Sequence, residues 1–183
     1  MVLYVARHGQ SESNLQGRWG GRYDTSLTEK GREQARELAG NLPAVDFAVI
    51  VASSLTRTRQ TAEIIQETLP LPVILSDAFM ERNMGVYEGL TDQEIIDTYP
   101  DLWNRGSTRA LDDAPTNGET YRAFYTRIAA ALEDLKEKYP EQNVLLVTHG
   151  FVARVINWYC KQLSFEDMLG FTMKNCDTVT YTL

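Results

Sequence analysis

The chain has 183 residues, 43% of them hydrophobic and 23% charged, which is the size and composition of one globular domain spanning residues 1–183. No stretch approaches the ~20 apolar residues that a membrane span requires, so we expect no membrane association. The formal net charge of −7 disfavours nucleic acid, which is bound through a broad cationic surface.

The N-terminus indicates a cytoplasmic protein, and the two cysteines indicate neither a disulfide framework nor a metal site. MVLYVARHG has no basic region before its short apolar run and no small-residue cleavage site, so it predicts a first strand rather than a signal peptide. Cys160 and Cys176 have neither metal-ligand nor CxxC spacing, and we expect both to be buried apolar side chains.

Strands and helices alternate along the chain, which favours an α/β layer fold. Three nearly continuous apolar runs predict strands covered on both faces, at 2–6, 47–53 and 143–148. Between them, helical patterns begin near residue 27, with Thr28 as a plausible N-cap, and near residue 54, where the pattern ends at Pro70.

The second half of the chain adds a long helix, an irregular segment and a last strand. An apolar stripe at helical spacing predicts a core-facing helix and consists of Tyr121, Phe124, Ile128, Leu132 and Leu135. The closing DTVTYTL alternates and predicts an edge strand. Residues 89–118 are the least regular part, and we expect a lid or subdomain there.

The only two histidines follow strands directly. His8 comes after the first strand and Arg7, and His149 comes after the strand at 143–148. Ligands of open α/β sheets bind beyond the carboxyl ends of the strands, so neighbouring strands would place both imidazoles in one crevice. Gly9 and Gly150, which follow the histidines, would let backbone N–H groups approach a bound oxyanion closely.

A third strand end adds an arginine. Arg57 stands where the strand at 47–53 runs into the next helix, whereas Arg59 points in another direction and is expected to be solvated. Two guanidiniums can grip an anion through forked hydrogen bonds. The predicted pocket for one tetrahedral dianion therefore consists of Arg7, Arg57, His8, His149, Gly150 and Asn14, with Ser11 possible on its rim.

A metal site is the alternative use of two histidines, and the sequence disfavours it. No carboxylate stands at ligand spacing, and the neighbouring arginines would repel a cation. We expect neither a metal nor another cofactor.

Four motifs in order resemble those of the histidine phosphatase superfamily, the phosphoglycerate mutase-like proteins. They are RHGQSESN, SSLTRTRQTA, MERNMGVYEG and VTHG, and the similarity extends over essentially the whole chain. The resemblance implies a three-layer α/β sandwich: a mostly parallel central sheet with an antiparallel edge strand and helices on both faces.

The resemblance also implies a two-step phosphoryl transfer. His8 would attack the phosphorus to give a phosphohistidine, which water would then hydrolyse. Arg7, Arg57 and His149 would hold the equatorial oxygens, and Glu81 would protonate the leaving oxygen and later deprotonate the water. Glu88, the rival carboxylate, aligns with a residue that the family uses structurally.

The organic half of the substrate is less well defined by the sequence. Arg18, Arg22 and Tyr23 follow the first motif and are candidates to clamp a second anionic group, although a solvated loop is equally compatible with them. Trp103, in the irregular segment, is expected to pack in the core of a lid rather than on a substrate ring.

Three functions are compatible with the motifs. A phosphomonoesterase acting on a small phosphorylated metabolite, as a monomer or homodimer, requires only the site described above. A phosphoglycerate mutase requires a longer cover, and residues 89–142 offer only a short stretch with Arg105 and Arg109. A catalytically dead member that binds phosphate esters is disfavoured because all five catalytic positions are filled. We favour the phosphatase, which resembles bacterial α-ribazole or broad-specificity phosphatases.

Overall fold

A computed structural model describes residues 1–183, and its centre is one five-stranded sheet. The strands are β1 (Val2–Arg7), β2 (Phe47–Ser53), β3 (Val73–Ser76), β4 (Asn143–Thr148) and β5 (Thr178–Thr182). They lie in the order β3-β2-β4-β1-β5; β5 pairs antiparallel with β1, and all other pairs are parallel. The predicted mostly parallel sheet with an antiparallel edge strand is confirmed.

The sequence pattern missed β3 because this strand is short and only partly covered. It has four residues, and Ile74 and Leu75 are exposed, so it shows neither a buried apolar run nor a regular alternation. Its four-residue parallel register with β2 defines it, from Ile50 opposite Val73 to Ser53 opposite Ser76.

Eight helices connect or flank the strands. They are α1 (Glu12–Leu15), α2 (Glu29–Asn41), α3 (Thr56–Thr68), α4 (Asp92–Thr98), α5 (Pro100–Asn104), α6 (Tyr121–Lys138), α7 (Gly150–Lys161) and α8 (Phe165–Leu169), with 3₁₀ turns at Asp77–Phe79 and Gly85–Tyr87. Thr28 caps α2 as predicted, because its side chain accepts a hydrogen bond from the N–H of Gly31. No helix is both long enough and apolar enough to cross a membrane.

Alternating side chains of the central strands build two separate cores, one on each face of the sheet. On β4, Val144 and Leu146 pack with α6 and α7, whereas Leu145 and Val147 pack with α2 and α3. The predicted stripe of α6 lies wholly in the first core. Helices therefore cover both faces, which explains why the strand sequences are apolar almost throughout.

The segment 89–118 contains α4, α5 and a loop, and it packs over a third, smaller core. Met84, Tyr87 and Ile95 form the buried part of this cluster, and Trp19 and Trp103 pack against it. Trp103 does not line the large cavity described below. Backbone hydrogen bonds from Trp19 N–H to Leu90 O and from Gly89 N–H to Trp19 O, both 2.8 Å, tie the loop after α1 to the beginning of this segment.

The loop after β1 approaches the first turn of α2 so closely that only glycine fits. A Cβ on Gly9 would lie 2.2 Å from the carbonyl oxygen of Gly31, and a Cβ on Gly31 would lie 2.0 Å from that of Gln10. Because both obstacles are backbone atoms, a side chain at either position must displace α2 from the loop that carries His8.

Replacing Gly31 with alanine should therefore lower the free energy of unfolding by about 1–3 kcal/mol, despite the higher helix propensity of alanine. Gly40→Ala on the same helix is the matched control, because a Cβ there meets nothing within 4 Å, and it should be neutral or stabilising. Urea denaturation of the two variants provides the comparison. Equal stability of both would contradict the proposed close approach.

Candidate active site

The carboxyl ends of β1, β2 and β4 border a cavity of about 330 Å³. Arg7, His8, Arg57, Glu81 and Gly150 line it together. These residues come from four separate parts of the chain, and the parallel pairing of β4 with both β1 and β2 brings three of those parts side by side.

His8 is held as a neutral imidazole in a defined tautomer. Its Nδ1 lies 2.6 Å from the carbonyl oxygen of Gly9, and because a carbonyl only accepts hydrogen bonds, Nδ1 carries the proton. Burial lowers the pKa of His8 well below its ordinary value, and the charges of Arg57 and Arg7 lower it further. Nε2 therefore presents a free lone pair, as a nucleophile requires.

His149 lies beside His8, with ring centroids 5.2 Å apart and an interplanar angle of 64°. Its Nε2 is 2.8 Å from the hydroxyl oxygen of Ser53, which also accepts a 3.4 Å hydrogen bond from the N–H of Leu55. When the Ser53 hydroxyl donates to Nε2, the ring proton resides on Nδ1. That nitrogen is buried and has no protein partner, so it is a donor that an oxyanion could satisfy.

Burial, followed by the charge of Arg57, the neighbouring His8 ring and the charge of Arg7, lowers the pKa of His149 well below its ordinary value, because a proton on His149 would be repelled by the arginines and by any proton added to His8. His149 has no accessible surface and stands behind the cavity wall. Both imidazoles of the site are consequently neutral at physiological pH, and the positive charge beside them comes from arginines.

Arg7 and Arg57 supply that charge and are anchored by backbone carbonyls. Arg7 Nη1 donates to Met173 O at 2.5 Å, and its buried Nε has no partner. Arg57, which is 2% exposed, donates from Nη2 to Gly21 O at 2.7 Å and from Nη1 to Tyr23 O at 3.1 Å. Burial lowers both arginine pKa values from a starting point so high that the groups stay protonated.

Glu81 completes the site as a carboxyl group whose pKa is raised. It is 7% exposed, and its two oxygens accept hydrogen bonds from the N–H of Arg82 at 2.9 Å and of Phe151 at 3.1 Å. Burial raises the pKa, and these two bonds and the arginines oppose the rise. A carboxyl poised in this way can exchange a proton with a group in the cavity.

Asn14 and Ser11 form the reciprocal cap of α1, a helix that the sequence pattern did not reveal. Ser11 Oγ accepts from Asn14 N–H, and Asn14 Oδ1 accepts from Ser11 N–H at 3.2 Å and from Asn175 Nδ2 at 3.2 Å. Asn14 lines the cavity, and its oxygen is occupied, so its NH₂ group is left for a ligand. Ser11 is buried behind the wall, and Ser13 lines the cavity in its vicinity.

The three candidates for a second anion clamp separate in the structure. Arg18 lines the cavity, but it forms an ion pair with Glu94 at 2.8 Å and donates to Gly89 O at 2.6 Å. Arg22 and Tyr23 do not line the cavity. Glu88 accepts hydrogen bonds from the N–H groups of Arg22 and Met84. These bonds are compatible with the structural, rather than catalytic, role that the family resemblance implied for Glu88.

The sequence analysis missed several residues of the site, among them Asn175 and Arg154. Asn175, from the loop before β5, donates to the backbone carbonyl of His8 at 2.9 Å. Arg154 lines the cavity beyond Gly150, on the same face of α7. The i, i+4 spacing from Gly150 was a signal that could have found Arg154, whereas no local pattern marks Asn175.

The residues at the cavity are unsuited to hold a metal ion. The chain contains no cluster of three or more His, Cys, Asp or Glu side chains in ligand geometry. Cations surround the one carboxylate of the cavity, so the arrangement favours an anionic ligand.

Comparison with known proteins places this site in a family context. The chain is 32% identical over 181 residues to phosphoserine phosphatase 1 of Hydrogenobacter thermophilus, covering 99% of this chain and 84% of that protein. It is 35% identical over 191 residues to the 2,3-bisphosphoglycerate-dependent phosphoglycerate mutase 2 of Gloeobacter violaceus, covering 98% and 84%.

Solved structures show the same architecture. The crystal structure of a putative α-ribazole-5'-P phosphatase from Escherichia coli superposes with a TM-score of 0.91 at 27% sequence identity, covering 98% of this chain and 89% of that one. The family model of the histidine phosphatase superfamily (branch 1) matches residues 3–183. With this match over almost its full length, the chain belongs to branch 1 of the histidine phosphatase superfamily.

Proposed function

We propose that this protein is a metal-independent phosphomonoesterase that hydrolyses a small phosphate ester through a phosphohistidine on His8. The observation that carries the proposal is the His8 ring, whose Nδ1 is bonded to Gly9 O so that Nε2 is left free, beside the half-buried Arg7 and the buried Arg57. This arrangement combines a nucleophile with fixed positive charge, and positioning and charge stabilisation are the main contributions of a protein to phosphoryl transfer.

In the first step, His8 Nε2 forms a bond to phosphorus while the bond from phosphorus to the ester oxygen breaks. Arg7 and Arg57 bind the equatorial oxygens as charge moves onto them, and a small shift of the cavity wall brings the unpartnered Nδ1–H of buried His149 to a third oxygen. Glu81, protonated at the start, transfers its proton to the departing alkoxide, so the alcohol leaves neutral. The raised pKa of Glu81 favours this starting state, and the negative charge of a bound substrate raises it further.

In the second step, water attacks the phosphorus of the phosphohistidine. The Glu81 carboxylate accepts a proton from this water, the bond between nitrogen and phosphorus breaks, and inorganic phosphate leaves. His8 returns to its neutral form, and Glu81 is again protonated. The cycle consumes one water per ester and requires no metal.

Two features support a phosphatase over a mutase. No residue of segment 89–142 lines the cavity, so nothing from that part of the chain covers the pocket against water. Arg105 is exposed and paired with Asp113 at 2.9 Å, and Arg109 is also exposed, so neither is placed to grip a substrate. A mutase remains the second candidate because a bisphosphoglycerate-dependent mutase is among the similar proteins.

Hydrolysis should depend on His8 and persist in excess chelator. Phosphate release would be measured from p-nitrophenyl phosphate, 3-phosphoglycerate and a ribonucleotide-like ester, with and without EDTA, for the wild type and His8→Ala. We expect equal wild-type rates in both conditions and loss of turnover in the variant, with its fold checked by circular dichroism.

Three results would separate the alternatives. Loss of activity in EDTA that a divalent ion restores would overturn metal independence, and normal hydrolysis by His8→Ala would remove the nucleophile. Conversion of 3-phosphoglycerate to its 2-isomer in the presence of a bisphosphate primer, without phosphate release, would identify a mutase.

Glu81→Gln should discriminate between leaving groups. An alkoxide needs the proton and a nitrophenolate does not, so phosphorylation by alkyl phosphates should slow by ~10²–10⁴-fold. The nitrophenolate burst from p-nitrophenyl phosphate should persist, and only the later steady state, which needs the base, should slow. Rapid-mixing kinetics resolve the burst from the steady state. If the phosphorylation step slows equally for alkyl phosphates and for p-nitrophenyl phosphate, Glu81 is not the general acid.

The pH profile should reflect the lowered His8 pKa. Activity falls as the pH drops through this pKa, because only neutral imidazole attacks, so the acid limb of kcat/KM should lie below pH 6.5, the ordinary value. For alkyl esters the rate should also fall as the pH rises through the Glu81 pKa, which lies above 4.5. Profiles would be corrected for the second ionisation of the ester, near pH ~6. An acid limb above 6.5 would contradict the electrostatic account of His8.

A further inference from the structure

The peptide unit that joins His8 to Gly9 is held on both sides by side chains from distant parts of the chain. Its carbonyl oxygen, which belongs to His8, accepts from Asn175 Nδ2 at 2.9 Å, and no other group of the protein donates to it. Its N–H, which belongs to Gly9, donates to Thr61 Oγ1 at 3.2 Å. Because Gly9 has no side chain to limit its φ and ψ, these two bonds restrict a unit that would otherwise rotate easily.

The orientation of this backbone determines where the His8 ring points. Nδ1 of His8 is bonded to Gly9 O at 2.6 Å, so a rotation of the backbone at residues 8–9 would carry the ring with it. The nucleophilic Nε2 lies on the opposite side of that ring. A displacement of a reacting atom by about 1 Å can slow a reaction by ~10²-fold, so the bond from Asn175 matters to the chemistry.

The same NH₂ group of Asn175 reaches a second acceptor. Its Nδ2 is 3.2 Å from Asn14 Oδ1, and an amide nitrogen carries two hydrogens, so His8 O and Asn14 Oδ1 can each receive one. Asn14 Oδ1 also accepts from the N–H of Ser11 at 3.2 Å. With its oxygen doubly bonded in this way, Asn14 keeps its own NH₂ group for a ligand in the cavity that it lines.

The partners fix which end of each amide faces which group. The carbonyl of His8 only accepts hydrogen bonds, so the end of Asn175 that faces it is the NH₂ group. The N–H of Ser11 only donates, so the atom of Asn14 beside it is the oxygen. The bond between the two asparagines agrees with both assignments.

Asn175 belongs to a tight turn that is attached to the end of β1. The N–H of Asp177 donates to Lys174 O at 3.1 Å, and the N–H of Lys174 donates to Asp177 Oδ2 at 2.7 Å, which closes the turn. The N–H of Cys176 donates to Arg7 O at 3.0 Å. Asn175 does not line the active-site cavity, so it can affect the chemistry only through the groups that it holds.

We propose that Asn175 is a positioning residue whose NH₂ group holds the nucleophile His8 and the ligand-binding amide of Asn14 in one fixed arrangement. The bond to His8 O aligns Nε2 for attack on phosphorus, and the bond to Asn14 Oδ1 directs the Asn14 NH₂ group to a phosphoryl oxygen. This inference rests on the proposed phosphatase activity and adds to it a residue that touches no substrate.

The test is a cycle of three variants, Asn175→Ala, Asn14→Ala and the double variant, each checked for folding by circular dichroism. Two quantities are measured on each protein. The rate constant of nitrophenolate release from p-nitrophenyl phosphate, with enzyme in excess, reports attack by His8. The dissociation constant of inorganic phosphate, from calorimetric titration, reports binding through Asn14.

Asn175→Ala should slow nitrophenolate release by roughly 10–100-fold, because the nucleophile is no longer aligned. It should also weaken phosphate binding by about 3–10-fold, the range expected for one hydrogen bond. In the Asn14→Ala background it should slow release again but leave the phosphate dissociation constant unchanged, because the amide that it held is absent.

Asn41→Ala is the matched control. Asn41 is exposed and borders the same outer cavity as Asn175, but it has no hydrogen bond to His8 or Asn14, so both quantities should stay at wild-type values. Urea denaturation of all variants separates stability from positioning. If Asn175→Ala does not fold, Asn175→Ser, which keeps one donor on a shorter side chain, takes its place in the cycle.

Two results would each overturn the inference and leave the phosphatase standing. One is a wild-type rate of nitrophenolate release per folded molecule of the Asn175 variant, even with a lowered urea midpoint, since a merely structural residue would behave in this way. The other is an equal effect of the Asn175 substitution on phosphate binding in both backgrounds. If the wild type hydrolyses no ester, the proposed function fails, and the phosphate-binding cycle alone decides the inference by the same criterion.

Discussion

The parallel pairing of β4 with β1 is the constraint on which the site depends. It aligns Arg7 with Thr148 and so places His8 and His149, which are 141 residues apart in the sequence, with their rings in contact. Because β4 also pairs with β2, the hydroxyl group of Ser53 lies within hydrogen-bond distance of Nε2 of His149. Parallel strands end at the same edge, so three chain segments deliver their polar residues to one place. The two apolar cores on either face hold this edge in position.

Keeping charge at a buried edge has a cost that the backbone offsets. The carbonyl oxygen of Met173 accepts from the half-buried Arg7, those of Gly21 and Tyr23 accept from the buried Arg57, and Gly9 O orients His8. A carbonyl stabilises a guanidinium without cancelling its charge, as a carboxylate would. The arginines therefore remain available to an anion, and their field keeps the imidazoles neutral. Electrostatic preorganisation of this kind is established during folding, before any substrate binds.

The mouth of the cavity is assembled from segments that are far apart in the chain. Arg57 fixes the loop at Gly21 and Tyr23, and backbone hydrogen bonds between Trp19 and the residues at 89–90 fix the next part of it. Trp19 then stacks near Phe151 of α7. Arg57 thus both lines the cavity and positions the loop that borders its mouth.

The sequence by itself determined the α/β class, four of the five strands, the main helices and the polar residues that end the central strands. These features depend on local periodicity and on helix capping, such as the cap of α2 by Thr28. Both can be recognised within a single segment of the sequence. The strand β3, the Ser53 contact of His149, the Asn175 contact of His8 and the place of Arg154 were decided only by the tertiary structure. Each of them depends on groups brought together from distant parts of the chain. The sequence pattern of one segment does not indicate which distant segment its side chains will contact.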